Sequence, residues 1–335
     1  MNKFLITGGL QRGNASKLGE GHRFQKARLL EVDFDEKKNN TLLDYPGNQE
    51  YYPDKTPNIL FTSATLQDGK LYLCTETEIF IYSYPALELL NKASHPFFQN
   101  VHHIAPVLNY VAVASTGLDM VILLDKETLE PVRFINPLGK DPWERFSRSV
   151  DYRKINSTKP HEIHPNFVFE INGEIWTTRF YQEDAVNIDD PTKRIDIGVD
   201  KVHDGHVVGD HIYFTTVNGC VVIANKHTLR IDDVIDLNKI DDIKTPLGWC
   251  RGLAISNGIA YVGFSQLRGT AIKENVAWAL NYIGAKSKQR TRISAYNLKE
   301  LKKVGEYILP KDSSNVIYSI LGPDASLSCS SSDLV

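Results

Sequence analysis

The chain has 335 residues, enough for one large domain or two, and all-β barrels and propellers often run past ~250 residues without splitting. Lys plus Arg total 38 against 41 Asp plus Glu, a formal charge of −3, so nothing polybasic argues for nucleic acid or an anionic membrane as partner. No run nears ~18 apolar residues, and the opening stretch 1–6 meets Thr7-Gly8-Gly9 too early for a signal-peptide core, so a soluble, cytoplasmic protein acting on a small molecule is expected. Cys74, Cys220, Cys250 and Cys329 lie far apart without CxxC spacing, which predicts free thiols rather than disulfides or a zinc ribbon.

In chain order, residues 3–7, 27–34 and 41–44 read as strands. Residues 70–75, 110–115, 174–179, 211–217 and 259–264 follow, alternating or rich in Tyr, Val, Ile and Thr. Most of these follow a tight turn such as Gln67-Asp68-Gly69, Asn172-Gly173 or Ser256-Asn257-Gly258. Four similar phrases, YSYPAL, LDKETL, ANKHTL and YNLKEL, end on Leu87, Leu129, Leu229 and Leu301. From Thr62, His102 and His203 to the first three leucines the separations are 25, 27 and 26 residues, the near-constant spacing of a repeated module. From Cys250 to Leu301 it is 51, and the excess coincides with residues 271–288, whose centre Val276-Ala277-Trp278-Ala279-Leu280 predicts an inserted helix.

Four strands per module place units near Leu60, Asn100, Lys159, Lys201 and Gly248. A sixth is split across the termini, with residues 316–321 innermost and residues 3–7, 27–34 and 41–44 outside them. The expected fold is an all-β, six-bladed β-propeller forming a single domain over residues 1–335, closed by pairing of its N- and C-terminal strands. The long links 11–26, 46–58, 137–158, 180–193 and 265–290 then fall on one face, where they shape a binding site.

Aligned by phrase, the six first strands read VHHIA, PHEIH, VHDGH, WCRGL, IYSIL and FTSAT, and their second column is His102, His161, His203, Cys250, Tyr318 and Thr62. Innermost strands converge on the propeller axis, so three imidazoles from adjacent blades would face one centre. Three neutral histidines with an open position suit a catalytic zinc, and imidazoles also suit iron and copper. A metal-free polar funnel is the other reading of the same column. The next column holds Glu162, Asp204 and Arg251, turned to the other strand face as acid/base or orienting groups. His103, His164 and His206 are further candidate ligands, with His164 and His206 expected in a separate layer. Cys250 reads either as a fourth ligand or reactive thiol or as a small buried hydrophobe. Arg251, flanked by Trp249, suits an anionic group, and Arg179 and Arg268 are placed at the same mouth as substrate-binding residues.

The VHHIAP, KPHEIHP and KVHDGH phrases resemble a group of six-bladed propellers with His-rich inner strands. More distantly, the arrangement is similar to NHL-type propellers such as the peptidyl-hydroxyglycine amidating lyases. That resemblance implies a zinc held by three histidines, with Tyr318 and Arg251 beside His102, His161 and His203. The function expected is a metal-dependent enzyme acting on a small polar or anionic substrate, a lyase or hydrolase with zinc and an oxidoreductase with iron or copper. Glu162, Asp204 or Tyr318 would move protons. The alternative is a non-catalytic scaffold that binds a ligand or protein partner at the same face.

Overall fold

The computed structural model describes residues 2–19, 21–242, 247–266 and 290–322. The expected helix at 271–288, Arg268, Cys329 and the end of the chain lie outside the described residues. Among the described residues the strands form six four-stranded antiparallel sheets. Their innermost strands are Ser63–Gln67, Val101–Val107, Pro165–Ile171, His206–Val208, Trp249–Ser256 and Ser319–Leu321, which number blades 1 to 6. Each innermost strand touches those of the blades beside it, so the sheets close into a six-bladed β-propeller.

Blades are held face to face by apolar side chains that alternate along each strand. Ile79, Ile81, Val101, Ile104 and Ile122 pack between blades 1 and 2. Phe4, Ile6, Tyr261, Ile293 and Ile320 do so between blades 5 and 6, where the rings of Phe4 and Tyr261 lie 4.4 Å apart. In blade 6 the C-terminal strand is innermost and Lys3–Gln11, Phe24–Asp33 and Lys38–Tyr45 complete the sheet, as the split module predicts. Thr7 pairs with Ser319, Ile6 with Ile320 and Leu5 with Leu321. The N-terminal strand runs on through Gly8 and Gly9 rather than ending at Thr7. A Cβ on Gly8 would collide with the Val316 carbonyl, so only glycine admits the C-terminal segment there.

The recurring leucine phrases are one turn used repeatedly. Leu87, Leu129, Leu229 and Leu301 all have left-handed backbones, with φ of 56°, 58°, 58° and 51°. In the second the Asp125 carboxylate accepts the amides of Glu127 and Thr128, and Asn225 and Asn297 do the same two and three residues downstream. The Leu87, Leu129 and Leu229 amides each close the turn on the carbonyl four residues back.

Three long links interlock on the face where the innermost strands begin. His22 Nδ1 meets the Thr56 carbonyl at 2.9 Å, Arg12 donates to the Pro57 carbonyl at 2.7 Å, and Lys154 donates to the Tyr52 carbonyl at 2.9 Å. The expected long link at 180–193 is not one: the strand Asp184–Asn187 falls inside it, and only residues 180–183 join it to the strand before. Among the described residues no helix is long and apolar enough to cross a membrane.

A left-handed backbone costs an L-residue roughly 1–2 kcal/mol, and Asn tolerates it better than Leu. Leu301 is 57% exposed, so Leu301→Asn relieves strain at little loss of burial. It should raise stability by about 0.5–1 kcal/mol in a denaturant titration. The same change at Leu129, 1% exposed, should instead destabilise by about 2 kcal/mol through lost apolar burial.

Candidate functional site at the propeller axis

Local irregularity, rather than regular strand, builds the axial site. The innermost strands of blades 2, 3 and 5 break register at one height, between Val101 and His103, Pro165 and Val168, and Cys250 and Leu253. Blade 4 has an isolated bridge at Val202 before its strand begins at His206. Such bulges insert a residue and re-aim its side chain. In blade 5 the bulge uses Gly252 at φ +77°, where a Cβ would lie 3.1 Å from Ile320 Cγ1.

From blade 1 to blade 6 the bulged positions and their equivalents are Thr62, His102, Asn166, His203, Arg251 and Tyr318, and all six line one cavity of about 290 Å³ counted out to solvent. Two members differ from the sequence alignment. In blade 3 the place expected for His161 is taken by Asn166, because the strand starts at Pro165, after the His-rich phrase. In blade 5 the bulge moves the register by one residue, so Arg251 reaches the cavity while Cys250 packs in the core between blades 4 and 5. Burial pushes the Cys250 thiol well up, away from the thiolate form a ligand or nucleophile needs.

Hydrogen bonding sets the protonation pattern of the ring. Asn166 donates its amide N–H to the Val202 carbonyl at 2.8 Å, which turns its oxygen toward His102 Nδ1 at 2.6 Å. An amide oxygen only accepts, so His102 carries its proton on Nδ1 and its Nε2 is the basic nitrogen. Arg251 Nε donates to His203 Nε2 at 3.2 Å, so His203 is neutral with its proton on Nδ1. Burial, the Arg251 charge and His102 all push His203 well below the ordinary histidine range. The Arg251 guanidinium lies 4.7 Å from the Tyr318 ring centre and 5.5 Å from that of Trp249, a cation–π seat, and makes no carboxylate pair among the described residues.

His161 and His164 approach this ring from the link before blade 3. His164 stands edge-on to His102 with ring centres 4.9 Å apart, and its Nδ1 is 3.0 Å from His161 Nδ1. His164 is therefore beside the ring rather than in a separate layer. Burial, then the neighbouring imidazoles and Arg251, push its pKa well down, and its Nε2 is buried without a partner among the described residues. Glu162 faces outward and is exposed, bonded to Lys140 at 3.0 Å. The Asp204 carboxylate is buried and staples blade 4 to blade 5, accepting the Thr215 hydroxyl and the Gly252 amide. His206 Nε2 lies 3.9 Å from its other oxygen. His103 is stacked on Phe167 at 3.6 Å, and its Nδ1 accepts the Val168 amide, which removes that lone pair from ligation. Arg179 is buried away from the mouth in a two-point pair with Asp184, at 2.8 and 2.6 Å. Among the described residues no group of three or more His, Cys, Asp or Glu side chains is arranged to hold a metal ion.

No protein-family profile matches this chain, and no curated protein matches its sequence. Solved structures match its shape. A protein of unknown function from Bacteroides caccae superposes with a TM-score of 0.59 at 12% identity, covering 96% of this chain and 99% of that one. A chain of a nidogen/laminin complex superposes with a TM-score of 0.59 at 10% identity, covering 97% and 99%. Likeness at this identity is likeness of fold alone.

Asn166 and Asp119 are the residues that sequence reasoning passed over. Asn166 carries no histidine signal, and only the strand boundary at Pro165 marks it. Asp119 follows Thr116-Gly117-Leu118 and reads as a turn residue, yet it reaches across to the segment carrying His164.

His103, His164 and His203 all have native pKa values pushed well below the ordinary value by burial. Above about pH 6.5 neither state binds these protons, and stability is unaffected. As pH falls through that value the unfolded chain takes them up and the folded chain does not, so stability is lost with acid. Denaturant titrations from pH 7.5 to 5 should show a slope approaching about 4 kcal/mol per pH unit from three protons, and His103→Gln should shallow it by one proton's worth.

Proposed function

We propose that the axial mouth is the working site of an enzyme for a small anionic substrate, with Arg251 holding the anion and His102 moving the proton. The observation that carries this reading is the Arg251 guanidinium, fixed through Nε, stacked on two aromatic rings and lacking a carboxylate pair among the described residues. A guanidinium in that setting is suited to a carboxylate or phosphate group. His102, with Nδ1 tied to Asn166, presents Nε2 as a base whose orientation is set in advance. The buried free thiols of Cys74, Cys220 and Cys250 suit a cytoplasmic setting.

A metal-dependent version of the same enzyme is the second reading, favoured by the His102 and His161 rings, whose centres lie 4.9 and 5.1 Å from that of His164. The likeness to the amidating lyases belongs with it and is supported by the six-bladed fold and by the contact between Arg251 and Tyr318. Elemental analysis of protein purified without an affinity tag separates the two. Negligible metal per chain is the result expected here; one equivalent in wild type, lost in His161→Ala, would favour the metal enzyme.

Acetate and inorganic phosphate serve as probes of the anion site. Wild-type chain should bind one or both in an NMR titration, and Arg251→Gln should weaken binding roughly 10- to 150-fold, the about 1.5–3 kcal/mol of a charge-assisted hydrogen bond. His102→Gln should retain binding, because the anion is held by Arg251 rather than by the imidazole. Binding that is unchanged in Arg251→Gln would leave the non-catalytic scaffold in front.

A further inference from the structure

We propose that Asp119 is the positioning residue of the axial site: its carboxylate binds three consecutive backbone amides and so seats His164 against His102, with His161 beside His164. The proposal rests on the axial reading for its purpose but not for its geometry. Asp119 is 1% exposed and follows the 3-10 turn Thr116–Leu118 of blade 2. One oxygen accepts the Glu162 amide at 2.8 Å, and the other accepts those of Ile163 and His164 at 3.0 and 2.8 Å. Successive N–H groups converging on one anion form a nest, a backbone shape that normally receives a ligand. Here the anion is the protein's own.

The nest shapes the chain where shape matters. His164 has a left-handed backbone, φ +58°, unusual for a histidine, and the three bonds to Asp119 compensate that strain. Arg145 then secures the anion from outside, donating to Asp119 at 2.6 Å and to the Pro160 carbonyl at 2.6 Å, so both ends of the His161 segment are held. Three residues of one phrase are therefore fixed by a side chain from the neighbouring blade. His164, the last of them, is the group whose ring stands against His102.

The test is the imidazole spectrum of the full chain, read by long-range nitrogen–proton correlation, which needs no ligand. In Asp119→Asn the His102 and His164 signals should move or broaden while those of His103 and His95 stay in place. A matched control, Leu129→Ala, removes a buried side chain on a different link and should lower the melting temperature without moving the His102 and His164 signals. If Asp119→Asn changes them no more than the control does, its role is structural and the proposal fails. Should Asp119→Asn not fold, wild-type hydrogen exchange decides the matter. Strand-like protection of the Glu162, Ile163 and His164 amides supports the clamp, and exchange at loop rates overturns it. Failure of the axial reading is separately visible, as wild type that binds neither acetate nor phosphate while the imidazole response to Asp119→Asn persists.

Discussion

Closure of the ring is the constraint on which the rest depends. A propeller blade can present its innermost strand to the centre only while packed on both sides, so the one interface not continuous in sequence must be made by the chain's own ends. Three residue pairs between Leu5–Thr7 and Ser319–Leu321 make it, reinforced by Tyr318 N–H to the Thr7 carbonyl at 3.0 Å and Ser319 N–H to the Thr7 hydroxyl at 2.9 Å. Tyr318 is itself one of the six axial residues and carries the Arg251 guanidinium on its ring. The strand pairing that closes the fold thus also fixes the backbone of the residue whose ring supports the cation.

What was legible in the sequence and what was not divides along the same physical line. Modular spacing showed the blades, because the hairpin turn with its left-handed leucine recurs where the third strand meets the fourth in blades 1, 2, 4 and 5, capped by Asp or Asn in the last three and by Ser83 in the first. Thr62, His102, His203 and Tyr318 were legible as axial because phrase alignment puts them in the column whose members line the cavity. Alternation fails where a bulge intervenes. Two neighbouring residues such as His102 and His103 then both line the cavity, and Arg251 displaces Cys250 by one step. In blade 3 the histidine-rich phrase drew the alignment to itself, while the strand begins one residue beyond it and presents Asn166.

Misplacing the phrase also concealed its use. His161 and His164 are not strand residues that happen to face the axis; they belong to a link bent around Asp119, and a carboxylate held by three amides cannot be read from spacing. Asp119 lies 45 positions before His164 and carries no motif. Long-range side-chain to backbone bonds of this kind leave no periodic trace, unlike the apolar alternation that marks a strand.

The protonation state of His203 follows from one bond. Arg251 Nε donates to His203 Nε2, and that bond exists only while the imidazole keeps its lone pair. Burial opposes a proton on His203, the guanidinium opposes it again, and His102 adds to both. All three act in the same direction, so His203 holds the cation in place without becoming a second cation beside it. An acidic side chain in that position would hold Arg251 more strongly but would also neutralise it, at about 4 kcal/mol for a pair 4 Å apart near a protein surface. The nearest acid of the cavity, Asp204, is instead engaged by Thr215 and Gly252 across the blade junction. A neutral imidazole as the partner of Arg251 therefore leaves its positive charge without a carboxylate counter-charge among the described residues, which is the condition the proposed anion site requires.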